Sequence, residues 1–229
     1  MLSGLAAANA GALDYEPPAR VVVVAPLAPP EVIDQFQGFY LGLQVKTVIG
    51  SKNSFVYDVD TLAEDVRLDL SGFGYGAYAG YGITFGANQR LFVAAEVNAQ
   101  AFVPSDVADC HGDCASCNGS LNNIVSARIR LGMLVGQNAN TLLYIHGGPS
   151  SANVTAGANW AGDPTYQTNG TVSGITYGAG IEYAISTRAK LRVEYSINDL
   201  DDFSFSAIGR NHTANFSNDE VAVGVSFTF

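Results

Sequence analysis

Cys110, Cys114 and Cys117 are the only cysteines of this 229-residue chain, and Asp109, His111 and Asp113 stand among them. Thiolate, imidazole and carboxylate at this density are zinc donors. A structural zinc takes four ligands, however, and one short segment would have to supply three thiolates and His111 with no second C-x-x-C to face them. In an oxidising compartment the same residues make one disulfide and leave one thiol. Cys110 with Cys117 and Cys110 with Cys114 both suit the spacing. No metal ligand and no cofactor is expected.

A second set of reactive groups lies inside runs of apolar or small residues: Lys46, Glu96, Arg128, Arg130, Glu182, Arg192, Glu194 and Glu220. An isolated charge is too costly to bury, so groups in such surroundings must be paired or solvated. Counted from one end of the alternating segments described below, Glu96 and Arg130 fall at similar heights, as do Lys46 and Glu220, and Glu182 and Arg192. Opposite charges at one level should pair. The network could form a gated polar pore or proton path, or it could satisfy itself and fill its own cavity. His111, His146 and His212 are the only histidines, and none stands in an H-x-S arrangement. Asp199, Asp201 and Asp202 have no histidine near them in sequence. No catalytic residue is therefore assigned.

The elements that must carry these charges show themselves in the last ten residues. Val221, Val223, Val225, Phe227 and Phe229 alternate with Glu220, Ala222, Gly224, Ser226 and Thr228. Period two with one wholly apolar face fits a strand that meets lipid on one side only. Segments of the same kind lie near Gly38 to Gly50, Leu70 to Phe85, Arg90 to Val103, Leu121 to Gly136, Thr141 to Asn153, Thr171 to Ile185, Ala189 to Phe203 and Phe216 to Phe229. Short connectors at Gly86 to Gln89, Gln137 to Asn140 and Ser186 to Arg188 alternate with long, polar, Asp/Asn/Gly-rich ones. This is the pattern of an all-β, eight-stranded antiparallel up-and-down transmembrane β-barrel.

One face of these strands carries Phe39, Leu41, Leu43 and Val45, then Phe73, Tyr75, Tyr81 and Ile83, and so on around to Leu191, Val193 and Tyr195. The opposite face carries Tyr40, Gln44, Lys46, Glu96, Asn98, Gln100, Arg128, Arg130, Glu182, Lys190, Arg192 and Glu194. Periodicity alone permits a soluble barrel, but charge does not. So few charges could not solubilise a whole outer wall, whereas inside a lumen they can pair and leave the rest to lipid. An interior of eight strands is just wide enough for side chains to fill it, which favours the self-satisfied plug over the pore. Glycines from Gly74 to Gly82 would leave room there for long side chains.

Composition agrees. Only 14% of residues are charged, with 25 Gly, 11 Tyr and 12 Phe, and no window is apolar enough for a helical span. The formal net charge of -10 excludes nucleic acid as a partner. Much of that charge lies in the long connectors, at Asp58, Asp60, Glu64, Asp65 and Asp69, at Asp106, and around Asp199. Met1 to Ala12 has the apolar and small residues of a signal-peptide-like segment whose basic start would lie upstream. Residues 13 to 37 hold Pro17, Pro18, Pro26, Pro29 and Pro30 and are expected to form a Pro-rich periplasmic linker of low order, with the barrel domain spanning 38 to 229. Asn118, Asn153, Asn169, Asn211 and Asn215 lie in or close to N-x-S/T patterns and count as polar loop residues.

GFYLGLQ at the first strand, VSARIRLGMLVG at the fourth, ITYGAGIEYAI at the sixth and the closing strand together resemble the small outer-membrane β-barrel family of porin or opacity type, particularly its alphaproteobacterial members. Gly224, Phe227 and Phe229 are similar to the G-x-x-aromatic-x-Phe signal of that family, which implies delivery by the barrel-assembly machinery. The resemblance also implies a bacterial outer-membrane location and contact with outer-membrane lipid and lipopolysaccharide. The expected role is structural or interactive at the cell surface, toward a partner the sequence does not name. The rival is a small-solute porin or gated channel.

Overall fold

A computed structural model describes residues 35–51, 53–59, 62–68, 72–103, 106–108, 114–160, 166–207 and 210–229. In chain order the strands are β1 (Gly38–Ser51), β2 (Asn53–Val59), β3 (Leu62–Leu68), β4 (Phe73–Phe85), β5 (Leu91–Phe102), β6 (Asp106–Ala108), β7 (Cys114–Val135), β8 (Thr141–Trp160), β9 (Tyr166–Ala184), β10 (Ala189–Leu200), β11 (Phe203–Ala207), β12 (Arg210–Ala214) and β13 (Asn218–Thr228). Eight of them, in the order β5-β4-β1-β13-β10-β9-β8-β7, form an antiparallel sheet that closes on itself through β5 and β7. Closure removes every sheet edge, the only way strands can satisfy their backbone in hydrocarbon. The closing strand β13 pairs with β1 from Tyr40↔Thr228 to Ser51↔Asn218, and Phe229 N donates to Phe39 O at 2.9 Å just beyond it.

Alternation decides which side chain faces where. Phe39, Leu41, Leu43, Tyr75, Tyr81, Ile129, Leu131, Tyr183, Val225 and Phe227 are exposed on the outer wall, while Tyr40, Gln44, Lys46, Tyr78, Glu96, Arg128, Arg130 and Arg192 are buried inside. Tight connections of a few residues join β4 to β5, β7 to β8 and β9 to β10 at one end. Gly86 and Gly136 open two of them with φ of 85° and 88°, a left-handed backbone that glycine adopts without a steric penalty.

At the other end the structure departs from the expected polar loops. The first and fourth long connectors fold into the hairpins β2–β3 and β11–β12, which join through β12 and β2 into a separate four-stranded sheet. The strands β7, β8 and β9 run on to Cys114, Trp160 and Tyr166, well past the Leu121, Asn153 and Thr171 boundaries read from apolar alternation. Their ladder continues because Asn, Thr, Ser and Gly still alternate about the pleat after the lipid-facing apolar residues stop. On β8, Pro149 cannot donate to a ladder, and the β7–β8 register passes from Ser126↔Ser150 to Ile129↔Gly147 without pairing the residues between.

Two apolar clusters sit inside the sheet at opposite ends. Near the tight turns, Phe36, Tyr40, Tyr78, Phe92, Leu134, Leu142, Tyr144 and Ala184 pack together. Toward the long connectors, Val48, Phe102, Leu121, Ile124, Val154, Val172, Leu200 and Phe216 form the second. Phe36 falls within the range assigned to the Pro-rich linker, yet its side chain is buried and meets Phe92 edge-on at 6.5 Å. The inward packing therefore begins before Gly38, because an aromatic ring at that position can cover the open end of the lumen. Residues 1–34, which include the signal-like segment, lie outside the described residues.

Candidate functional site: the filled lumen

Between the two apolar clusters lies a layer of charge. Glu96 on β5 faces Arg128 of β7 directly in the register and is ion-paired with it. Glu96 is reached from two further sides, by Arg192 Nη2 at 2.8 Å and Arg130 Nη1 at 3.4 Å. Glu182 on β9 takes Arg130 Nη2 at 2.6 Å and its register partner Arg192 at 3.2 Å. Glu194 on β10 takes Arg128 Nη1 at 2.7 Å. Three guanidiniums thus interlock with three carboxylates, and Arg130 and Arg192 each retain only 1% exposure. Planar guanidinium forks can address two carboxylates at once, which is why arginine and not lysine fills the centre.

The sequence placed Glu96 level with Arg130, but the register sets Ala94 opposite Arg130 and Arg128 opposite Glu96. The offset is one pleat repeat, short enough for Arg130 to reach Glu96 anyway. Lys46 and Glu220 meet at 2.5 Å in a separate pair above this layer, where Gln100 also bonds Lys46. Lys190, near the tight turns, bonds Thr228 and lies 5.4 Å from the Phe36 ring centroid.

Tyrosines complete the packing, and their part was only half legible. Tyr40 stands across from Gly80, Tyr78 from Gly42 and Tyr144 from Gly180. Each ring lies over the glycine beside it: a Cβ on Gly42 would stand 2.5 Å from Tyr78 Cε2, and one on Gly180 2.5 Å from Tyr144 Cζ. The glycines make room for aromatic rings of the neighbouring strand, and not for side chains crossing from the far wall. Arg192 then stacks on Tyr78 at 3.8 Å and Arg130 on Tyr144 at 3.9 Å, while Tyr40 and Tyr144 donate to Glu96 and Glu194. Tyr144 and His146 were missed as site residues. The signal for them was present, because Leu142, Tyr144 and His146 alternate with Leu143 and Ile145 on β8.

Ser196 Oγ lies 3.3 Å from His146 Nε2, and Glu194 Oε1 lies 3.7 Å from the same nitrogen. A nucleophile and base need the carboxylate on the opposite ring nitrogen, where it fixes the tautomer. Here hydroxyl and carboxylate crowd one nitrogen, and His146 Nδ1 has no hydrogen-bond partner. Among the described residues, no group of His, Cys, Asp and Glu is placed to hold a metal ion. Cys110 lies outside the described residues. Cys114 and Cys117 lie on the β7 backbone, opposite Trp160 and Ala158, and their side chains are not described. Gly224 lies on β13 opposite Gln44, Phe227 faces outward, and Phe229 is 83% exposed.

A charged layer sealed between apolar clusters, inside a wall whose outer face is apolar, is the geometry of a β-barrel in a bilayer. The sequence model described as "Outer membrane protein beta-barrel domain" matches residues 19–229. No curated protein matches the chain in sequence. Among solved structures, the chain is similar to the outer membrane protein OprG from Pseudomonas aeruginosa, at 13% identity and a TM-score of 0.55, over 84% of this chain and 96% of that one. It is also similar to Ail, the attachment invasion locus protein of Yersinia pestis, at 11% identity and a TM-score of 0.44, over 84% and 99%. The outer membrane protease OmpT from Escherichia coli matches at 10% identity and a TM-score of 0.40, over 85% and 97%. At such identities the likeness concerns the fold alone.

Proposed function

The chain belongs to the outer membrane protein beta-barrel domain family and resides in the bacterial outer membrane, and from that premise we propose that it is a sealed, non-catalytic envelope barrel whose role is structural and interactive at the cell surface. The observation that carries this reading is the lumen. Arg128, Arg130, Arg192, Glu96, Glu182 and Glu194 are ion-paired with one another in one layer across the lumen, each almost wholly buried. A conducting path would need water between these groups. Admitting it would mean prising apart guanidiniums and carboxylates that now lie in direct contact.

What remains for interaction is the projecting end, where β7, β8 and β9 outrun the barrel and the β2–β3 and β11–β12 hairpins form their own sheet. The absence of catalysis is supported by the placement of Ser196 and Glu194 on one nitrogen of His146. Outer-membrane lipid and lipopolysaccharide are the surroundings of the wall, and Gly224, Phe227 and Phe229 are assigned to recognition by the assembly machinery. The deciding experiment is planar-bilayer recording with purified protein. The expected result is no steady unitary conductance, and large, stable openings would replace this reading with that of a small-solute porin.

A further inference from the structure

The outward faces of β7, β8 and β9 change character abruptly along the strands. Val125, Ile145 and Ile175 are exposed apolar residues of the lipid-facing wall. Immediately beyond them the exposed positions become Asn122, Asn123, Ser151, Asn153, Asn169, Thr171 and Ser173, with Thr155 half-buried among them. Residues 114–126, 150–160 and 166–176 contain no Asp, Glu, Lys or Arg at all. A protein surface in water ordinarily carries about a quarter to a third of charged residues, and this chain places many acids in its other outer segments. A wholly neutral strip is therefore a choice of chemistry.

The strip is also ordered. The N-x-T patterns at Asn153–Thr155 and Asn169–Thr171 put both polar residues on one face of a strand, because the pleat repeats every two residues. The register then aligns them in rows across the three strands, Asn123↔Asn153↔Thr171 and Ser120↔Thr155↔Asn169. Side chains bond along the rows: Asn122 Nδ2 donates to Thr155 Oγ1 at 3.0 Å, Thr155 Oγ1 to Asn169 Oδ1 at 2.8 Å, and Thr171 Oγ1 to Asn153 Oδ1 at 2.9 Å. These bonds occupy the carbonyl oxygens of Asn153 and Asn169. Their amide N–H groups have no protein partner among the described residues. Asn122, Asn153, Thr155, Asn169, Gly170 and Thr171 line a groove of about 390 Å³.

We propose that this groove is a docking site for the saccharide of outer-leaflet glycolipid, the sugar rings that lie directly above the acyl chains in the outer membrane. Uncharged amides fixed in position are complementary to hydroxyl groups, which both donate and accept. The strip begins where the lipid-facing apolar wall ends, so the sugars adjoining the hydrocarbon are the hydroxyl-rich groups it meets. Charge complementarity points the same way. Acidic side chains would be repelled by the phosphates of such a lipid, and the strip has none. Arg128, Arg130 and Arg192 are buried in the lumen and the strip itself carries no cation, so binding through neutral groups is what these three strands have to offer on this side. This assignment names the partner for the surface role proposed above and rests on that reading.

The test uses full-length folded protein in detergent, titrated with lipopolysaccharide truncated to lipid A and its inner sugars, and read by native mass spectrometry. Removing the two free amides in the double variant Asn153→Leu/Asn169→Leu should weaken binding about tenfold. Thr155→Val, which releases Asn169 from its row, should weaken it less. Heat-modifiable gel mobility establishes that each variant is folded, and conductance recorded in parallel keeps failure of the sealed-barrel reading separate from failure of this one. Binding should survive chelation of divalent cations and should not be matched by phospholipid. Equal affinity of wild type and the double variant overturns the proposal. So does loss of binding on chelation, which would assign the contact to cations held by acidic residues. Stronger binding to the free oligosaccharide than to the glycolipid, or dimerisation abolished by the same substitutions, would overturn it in favour of a soluble glycan or a second copy of the chain.

Discussion

Arg192 joins more of the lumen than any single pair suggests, since it reaches Glu96, reaches Glu182 and covers the Tyr78 ring. Replacing it with Met keeps much of the volume but leaves three buried carboxylates facing two guanidiniums. Arg192→Met should lose about 3 to 5 kcal/mol of stability, read as an earlier midpoint in urea for the heat-modifiable folded form. Adding Glu96→Gln to that variant should cost less than the two single changes together, because the second removes the negative charge that the first left in excess. Additive losses would mean that the layer is not one network. Gly42→Ala should cost about 1 to 3 kcal/mol in the same assay, because its Cβ would enter the space of the Tyr78 ring. Which residues face inward was legible from alternation alone. Which inward residues touch was not: Lys46 with Glu220 could be read from their heights, but the threefold grip on Glu96 depends on side chains from three strands converging across the lumen.

At the scale of elements, β13 has two neighbours to satisfy, β1 and β10, and Phe229 just beyond it still bonds Phe39. Deleting Phe229 removes that bond and an exposed aromatic residue at the barrel's end. The expected outcome is a fall in membrane-assembled protein, measured by fractionation, and normal levels would count against Phe229 as an assembly signal. The hairpin β2–β3 pairs with β12 and not with the eight-stranded wall. Replacing it with a short Gly/Ser connector should therefore leave the heat-modifiable mobility shift in place. The eight wall strands were readable because lipid enforces strict alternation on them. The hairpins beyond the membrane were read as loops, since a strand in water can be polar on its exposed face and loses the contrast that reveals period two. The upper apolar cluster escaped notice for a related reason. Val48, Phe102, Val172 and Leu200 occupy inward positions that the charged half of the same strands had marked as polar.

For the whole molecule the tight turns and the long connectors lie at opposite ends, and the proposed orientation puts the turns in the periplasm. Trypsin applied to intact cells should then leave Arg90 and Arg188 uncut, and cleavage there should appear only once the outer membrane is opened. Cutting at those sites on intact cells would invert the topology. A lipid-facing barrel with charge inside was legible from residue order alone, because period-two strands that keep nearly all their charges on one face cannot present the other, uncharged face to water. Tertiary structure alone decided how the lumen is packed and where the strands end. Closure of the sheet sets the relative heights of side chains on opposite walls, and those heights determine which charges meet, which rings cover which glycines, and which Asn and Thr residues line up beyond the membrane.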